Sequence, residues 1–195
     1  MNWMKKVAVA LVCLLPLGLQ AAKVDTLQVK SPSMNKSIEV VVVSPDVAAT
    51  KACPVIYLLH GYGGNARTWV GIKPDLPKIA DEKGIFFVCP DGKNTWYWDS
   101  PLNADVRYET FISNELVKYV DSHYKTVADR KGRAITGLSM GGHGAMWNGL
   151  RHSDVFSAAG STSGGVDIRP FPKNWEMSVQ IGEKAKYPEN WEKYT

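Results

Sequence analysis

The residues best suited to chemistry lie in the run Gly137-Leu138-Ser139-Met140-Gly141. A strand-like segment precedes this Gly-x-Ser-x-Gly pattern and a helix-like segment follows it, which is the context of a nucleophilic serine on a tight strand-to-helix turn. The glycines are needed because a side chain there would collide with a neighbouring strand or helix. A Gly/Ser loop that merely turns the chain is the alternative. The flanking segments favour Ser139 as a nucleophile with the amide of Met140 beside it.

A second glycine-rich loop, His60-Gly61-Tyr62-Gly63-Gly64, directly follows the apolar run 55–59. Such a loop at the end of a strand leaves backbone amides pointing outward, and acyl transfer needs two amide donors to hold the oxyanion of its tetrahedral intermediate. Met140 would supply one donor and Tyr62 the other. A phosphate-binding loop is the competing interpretation, but its Gly-Lys-Ser/Thr ending is missing.

These loops combine with three further motifs: Cys89-Pro90-Asp91-Gly92, Trp96-Tyr97-Trp98-Asp99-Ser100-Pro101 and Tyr108-Glu109-Thr110. In this order they resemble the esterase D and feruloyl-esterase group of α/β-hydrolases, over nearly all of the chain after residue 21. That group includes feruloyl and acetyl-xylan esterases, S-formylglutathione hydrolases and mycolyltransferases. The resemblance implies an α/β fold with a three-layer α/β-hydrolase sheet, an acyl-enzyme at the elbow serine and no cofactor. It also implies a set of substrate-binding residues: His60, Gly61, Trp96, Tyr97, Asp99 and Ser100.

The aromatic residues of the third motif have a simpler alternative role. Trp96 and Tyr97 could cap the core, although aromatic rings beside a cleft also stack on the flat faces of sugars or ferulate-like rings. Asp99 could likewise cap a turn instead of binding a substrate hydroxyl. Both alternatives stay open from the sequence alone.

A nucleophilic serine needs a general base and an acid that orients it, and the sequence departs from the family here. In α/β-hydrolases the acid and then the histidine follow the nucleophile. Asp167 is a candidate acid. No histidine follows His152, and the four histidines that are present fit poorly: His60, His123, His143 and His152. We therefore expect a domain over residues 22–195 that is C-terminally incomplete, with C-terminal strands of the sheet missing.

The elements that position these residues alternate between strands and helices, which predicts a parallel sheet covered by helices. The expected strands cover 24–29, 38–43, 55–59, 85–89 and 134–138, and another begins at 155. The expected helices cover 74–83, 108–124 and 140–151. Residues 173–195 are expected to form a cap or helical insertion.

Residues 1–21 have the pattern of a signal peptide, which predicts a secreted or periplasmic protein. Lys5 and Lys6 precede the apolar run 7–19, which ends in the small residues Ala21 and Ala22. A membrane anchor is the alternative, but the run is shorter than the roughly 20 residues that a spanning helix needs. We therefore expect no stable membrane insertion.

The remaining composition restricts the partners. The net charge of +4 is spread along the chain without a Lys/Arg block, so nucleic acid is not an expected partner. The histidines and cysteines lack ligand spacing, so no metal site is expected. Cys53 and Cys89 are expected to be free, buried thiols, because they belong to opposite ends of neighbouring strands.

The sequence thus favours a secreted serine carboxylesterase acting on a small-molecule or carbohydrate ester, such as an acetyl or feruloyl ester. One alternative is a catalytically impaired fragment or binding module of the same fold. Another is an acyltransferase that uses the same acyl-enzyme.

Overall fold

The computed structural model describes residues 22–195, so the predicted signal peptide, residues 1–21, lies outside the described residues. Within this range the chain forms one six-stranded sheet in the order β1-β2-β4-β3-β5-β6. Strands β1, β2 and β4 pair antiparallel, and β3, β4, β5 and β6 are parallel. The strands are β1 (Lys23–Ser31), β2 (Lys36–Ser44), β3 (Val55–Leu59), β4 (Phe86–Pro90), β5 (Arg133–Gly137) and β6 (Ala158–Ala159).

Helices cover both faces of this sheet. They are α1 (Thr68–Ile72), α2 (Leu76–Lys83), α3 (Tyr108–Thr110), α4 (Val117–His123), α5 (Met140–Arg151), α6 (Met177–Ile181) and α7 (Pro188–Lys193). A π-helical turn, Phe111–Leu116, joins α3 to α4, and short 3-10 helices cover Asp46–Ala49 and Arg130–Gly132.

Strand β2 shows why the central strands are continuously apolar. Val40 and Val42 belong to one buried cluster, whereas Val41 and Val43 belong to a second cluster on the other face. Successive side chains of a strand point to opposite faces, so a strand covered on both sides needs an apolar residue at every position. The sheet is therefore the middle of three layers, which confirms the predicted α/β architecture.

The predicted helices agree closely with the structure. The expected helix 74–83 begins at Leu76 and ends at Gly84, whose φ of 63° lets its amide close the last turn onto the carbonyls of Ala80 and Asp81. The expected helix 108–124 extends to His123 and includes the π-helical turn. Two short helices, α6 and α7, occupy the expected cap at 173–195.

The last strand starts later than predicted. Strand β6 is only Ala158–Ala159, although the apolar pattern suggested a start at 155. The amides of Val155 and Phe156 instead donate to the carbonyl of His152, at 2.9 and 3.0 Å, and close the end of α5. A backbone used in this turn cannot pair with β5.

The two cysteines are free and buried, as predicted. Cys53 belongs to one hydrophobic cluster and Cys89 to the cluster on the opposite face of the sheet, so the sheet separates the sulfurs. Burial raises the pKa of the Cys89 thiol, which leaves it protonated and unreactive. No helix in the described range 22–195 has the length and apolar character needed to cross a membrane.

Candidate active site

Ser139 occupies a sharp turn between β5 and α5, with φ 55° and ψ −117°. A non-glycine residue in this region stores strain of about 1–3 kcal/mol, and such strain clusters at functional sites. A Cβ on Gly137 would lie 2.2 Å from the carbonyl oxygen of Gly141, and one on Gly141 would lie 2.2 Å from that of Leu59. Both glycines are therefore required by close backbone approach.

The turn leaves the serine side chain accessible. The backbone amide of Ser139 donates to the carbonyl of Thr162 at 2.8 Å, which ties the turn to the segment after β6. The residue is exposed, and within residues 22–195 its hydroxyl has no hydrogen-bond partner. An anchored backbone with an unpaired hydroxyl is suited to nucleophilic attack.

The glycine-rich loop after β3 lies directly beside Ser139. A Cβ on Gly61 would be 3.5 Å from the Cβ of Ser139. The loop is held at two points, since the amide of Gly64 donates to the carbonyl of Gly61 at 3.0 Å and that of Gly63 donates to Asn94 Oδ1 at 2.9 Å.

Two backbone amides near Ser139 remain unused. Among the described residues, the amides of Tyr62 and Met140 donate no hydrogen bond. Their position next to a free hydroxyl is the arrangement that holds an oxyanion during acyl transfer. The roles of Tyr62 and Met140 as oxyanion donors nevertheless stay predictions.

A cavity of about 250 Å³ opens onto Ser139. Its walls are largely apolar and aromatic, and the lining residues are Tyr62, Trp96, Ser139, Met140, Ser163, Gly165, Asp167, Ile168, Phe171, Trp175 and Met177. Trp96 is anchored because its indole nitrogen donates to the carbonyl of Trp175 at 3.1 Å. The rings of Phe171 and Trp175 lie 5.6 Å apart and are each about half exposed. The structure thus places Trp96 in this cavity, where the sequence predicted a substrate contact.

His60 holds the backbone of the glycine-rich loop through hydrogen bonds and does not line the cavity at Ser139. Its Nε2 accepts a hydrogen bond from the amide of Gly92 at 2.9 Å, so the ring hydrogen is on Nδ1, which donates to the carbonyl of Gly61 at 2.7 Å. The side chain is 1% exposed. The expectation that His60 binds substrate is therefore corrected: this ring positions the loop. Gly61 itself adjoins Ser139.

Tyr97, Asp99 and Ser100 also differ from expectation. The hydroxyl of Tyr97 donates to the carbonyl of His60 at 3.1 Å, and this ring is fully buried. Asp99 accepts from the amide and hydroxyl of Thr110 at 3.0 and 2.6 Å. Ser100 Oγ donates to the carbonyl of Gln180 at 2.6 Å. These three side chains are engaged within the protein, so they are not cavity residues.

His143 is the histidine nearest to Ser139 in sequence, and both of its ring nitrogens are engaged. Nε2 accepts from the indole of Trp98 at 3.0 Å, and Nδ1 donates to the carbonyl of Gly165 at 2.6 Å. Burial lowers the pKa of His143, although the bond to Gly165 opposes this effect. The ring is therefore neutral and has no free nitrogen to accept a proton from Ser139.

The other two histidines contact groups away from the cavity. His123 Nδ1 lies 2.8 Å from the carbonyl of Tyr119, and His152 Nε2 lies 2.8 Å from a carboxylate oxygen of Glu109. Thus, within residues 22–195, no histidine forms a hydrogen bond with the hydroxyl of Ser139.

Asp167, the candidate acid, does line the cavity. Both of its carboxylate oxygens accept hydrogen bonds from the guanidinium of Arg169, at 2.9 and 3.0 Å, and these bonds lower the pKa of Asp167. An acid of a catalytic triad must orient a histidine. Asp167 has an arginine partner instead, so its predicted role as the acid gains no support from its contacts.

Sequence reasoning missed Phe171, Trp175 and Asn94. Phe171 and Trp175 lie in the C-terminal part of the sequence, where no periodic pattern connects them to Ser139. Asn94 belongs to a turn, and its position there carries no sequence signal for a contact with the loop. No cluster of three or more His, Cys, Asp or Glu able to hold a metal ion occurs in the described range.

Comparison with known proteins adds independent evidence. Residues 31–194 match the family described as "Putative esterase". An esterase of Mycobacterium tuberculosis is 30% identical over 149 residues, which cover 73% of this chain but only 32% of that protein. An acetyl esterase of Caldicellulosiruptor saccharolyticus is 32% identical over 102 residues, 52% of this chain and 37% of that protein. The chain thus spans about a third of the length of these relatives.

A solved structure of a ferulic acid esterase superposes with a TM-score of 0.69 at 30% identity, covering 90% of this chain and 71% of that one. Together with the match to residues 31–194, this similarity shows that the chain belongs to this esterase family and has the α/β-hydrolase fold.

Proposed function

We propose that this protein is a serine carboxylesterase that forms an acyl-enzyme at Ser139. The observation that carries the proposal is that, among residues 22–195, the exposed hydroxyl of Ser139 and the nearby amides of Tyr62 and Met140 have no hydrogen-bond partner. In acylation, the serine oxygen forms a bond to the ester carbonyl carbon while the two amides hold the oxyanion. The bond to the alcohol then breaks, and the hydroxyl proton leaves with that alcohol. Water next releases the acid and restores the serine.

The cavity supports an ester with a flat aromatic acyl group. Trp96, Phe171 and Trp175 present ring surfaces around Ser139, and aromatic pairs gain about 0.5–1.5 kcal/mol beyond their buried area. An acetyl group would leave most of these rings without contact. A feruloyl-like ester of a carbohydrate is therefore our preferred substrate, and an acetyl ester is the second choice.

Within residues 22–195, no histidine is hydrogen-bonded to Ser139 as a general base would be. All four histidines of the chain have other hydrogen-bond partners, and proton transfer by a positioned base contributes about 10²- to 10⁴-fold to the rate. We propose that the acid and histidine lie outside residues 22–195 and that these residues alone turn over slowly. The competing proposal is a catalytically impaired module that keeps the cavity and binds its ligand without turnover.

The test measures hydrolysis of methyl ferulate, of an aliphatic methyl ester and of p-nitrophenyl acetate by the wild type and by Ser139→Ala. We expect loss of hydrolysis in the variant and, in the wild type, a higher kcat/KM for methyl ferulate than for the aliphatic methyl ester. Equal rates for wild type and variant would reject Ser139 as the nucleophile. Binding of methyl ferulate without any turnover would favour the impaired module, and transfer of the acyl group to an added alcohol would favour an acyltransferase.

We also propose that the protein is exported, because residues 1–21 have the charged, apolar and small-residue regions of a signal peptide. Expression in a bacterial host followed by N-terminal sequencing of the exported protein tests this proposal. We expect a mature terminus close to residue 22.

A further inference from the structure

A second cavity, of about 360 Å³, lies beside the glycine-rich loop and differs sharply from the aromatic one. We call it the polar groove. It runs between the antiparallel end of the sheet and the loops after β3 and β4, and its polar side chains include Gln28, Glu39, Asn65, Arg67, Asp91 and Lys93.

The charges of the polar groove balance within it. Lys93 Nζ pairs with Asp91 Oδ2 at 2.6 Å, and Arg67 Nε lies 3.9 Å from a carboxylate oxygen of Glu39. Because each cationic side chain already lies near a carboxylate, neither an anionic nor a cationic ligand would gain much electrostatic attraction there. The polar groove therefore favours a neutral ligand that forms many hydrogen bonds.

Several of these groups are held in place before any ligand arrives. The Asp91 side chain is only 8% exposed and also accepts from the amide of Lys93 at 2.9 Å. Arg67 Nη2 donates to Thr26 Oγ1 at 3.1 Å, and Asn65 Oδ1 accepts from the amide of Arg67 at 2.8 Å. Fixed polar groups lose little freedom on binding, which favours affinity.

Two side-chain amides of the polar groove are still free to bind a ligand. Within residues 22–195, the side-chain amide of Gln28 and the Nδ2 of Asn65 form no hydrogen bond. Carboxamide groups both donate and accept, as sugar hydroxyls also do. Gln28 and Asn65 are thus suited to a ligand rich in hydroxyl groups.

The polar groove and the aromatic cavity share one loop. Tyr62 lines the cavity at Ser139, and Asn65 lines the polar groove. Three residues span at most about 10 Å, and the turn between them is closed by the bond from Gly64 to Gly61. An ester whose acyl group lies in the aromatic cavity can therefore extend its alcohol portion over this loop.

We propose that the polar groove binds a neutral carbohydrate, the alcohol portion of the ester that Ser139 cleaves. This inference deepens the proposed function and rests on it for the identity of the ester. Binding to the polar groove itself needs no reaction. Because the polar groove has no aromatic lining residue among those described, its affinity comes from hydrogen bonds to hydroxyl groups.

The experiment titrates xylotetraose, which carries no ester, into the Ser139→Ala protein and follows amide shifts by NMR. We expect binding, with shifts at Gln28 and Asn65. Gln28→Ala should weaken it about two- to tenfold, the effect of one hydrogen bond. Asn65→Asp, which keeps the acceptor for Arg67 but loses the Nδ2 donor, should weaken it similarly.

Lys30→Ala is the matched control, because Lys30 is an exposed residue of the same strand as Gln28 and lies outside the polar groove. It should bind xylotetraose as the parent does. Absence of binding, equal affinity in all variants, or displacement by inorganic phosphate would overturn the proposal. Failure of the proposed function looks different: Ser139→Ala would hydrolyse esters like the wild type while xylotetraose still shifted residues of the polar groove.

Discussion

Replacing Gly141 by alanine should disrupt the turn that presents Ser139. The new Cβ would lie 2.2 Å from the carbonyl oxygen of Leu59, where ordinary contacts begin near 3.4 Å, so the backbone must shift by about 1.2 Å. The obstacle is the end of β3, a central strand, and it cannot rotate away as a side chain could. Overpacking typically costs 1–3 kcal/mol, and we expect about 3 kcal/mol here. For a domain of this size that lowers Tm by about 6–12 °C.

The assay is urea unfolding together with ester hydrolysis per folded molecule. Gly71→Ala is the control, because a Cβ on Gly71 in α1 meets nothing within 4 Å. That variant should match the wild type or gain about 0.4–1 kcal/mol from a less flexible unfolded chain. If Gly141→Ala unfolds at the wild-type urea concentration and keeps its activity, the close packing of this turn on β3 is not what holds Ser139 in place.

Three other changes test the cavity, the loop and the acid stability. Trp175→Ala should raise the KM for methyl ferulate about 2- to 12-fold, the value of one aromatic contact. The KM for p-nitrophenyl acetate should rise less. Equal effects on the two KM values would exclude a site for an aryl group. Asn94→Ala removes the acceptor for the Gly63 amide and should lower kcat more than it changes KM. Asn94→Asp keeps an acceptor and should retain more activity. A fall in stability without a change in kcat would contradict this role of Asn94. Burial raises the pKa of Glu109, but hydrogen bonds from the α5 region outweigh this effect and lower it. The ionised Glu109 carboxylate therefore stabilises the folded protein above about pH 4.3, and this stabilisation is lost as the pH falls through the folded-state pKa. Glu109→Gln should therefore cost about 1–3 kcal/mol at pH 7 and progressively less below pH 4.3 in urea unfolding, and a constant difference would refute the assignment.

The fold was predictable because its strands have strong local signals. The apolar run 55–59 and the alternation of strands with helices reflect burial on both faces of the sheet, and Gly84 marks the end of α2. Strand β6 was predicted three residues early, since two amides that could have paired with β5 close helix α5 instead. Competition of this kind depends on hydrogen bonds that composition does not reveal.

The candidate site was only half predictable. The turn at Ser139 and the loop containing Tyr62 are local motifs with a fixed geometry. The position of the Ser100 hydroxyl depends on a distant residue, because it donates to the carbonyl of Gln180, whereas the Asp99 carboxylate is held by Thr110, eleven residues along the chain. A contact across eighty residues carries no sequence period, so the sequence predicts a cap over 173–195 but not the hydrogen bond that this cap forms with Ser100.

The hydrogen-bond partners of the histidines were also beyond prediction from the sequence. Their positions along the chain already argued against a general base, and the structure gives the reason for His60 and His143. Each ring donates from Nδ1 to a carbonyl and accepts at Nε2, so each is a structural link between loops. The sequence argued against a role of these residues in proton transfer, but it could not assign them their partners.

The most direct test of the account is mass spectrometry of the protein after brief exposure to an activated aryl ester such as p-nitrophenyl ferulate. Because the histidines within residues 22–195 have other hydrogen-bond partners, deacylation of this chain should be slow and the acyl-enzyme should accumulate. We predict one feruloyl group per molecule, on the peptide that contains Ser139, and none on Ser139→Ala. Labelling of the variant to the same extent, or a label confined to another residue, would contradict the central claim that Ser139 is the nucleophile.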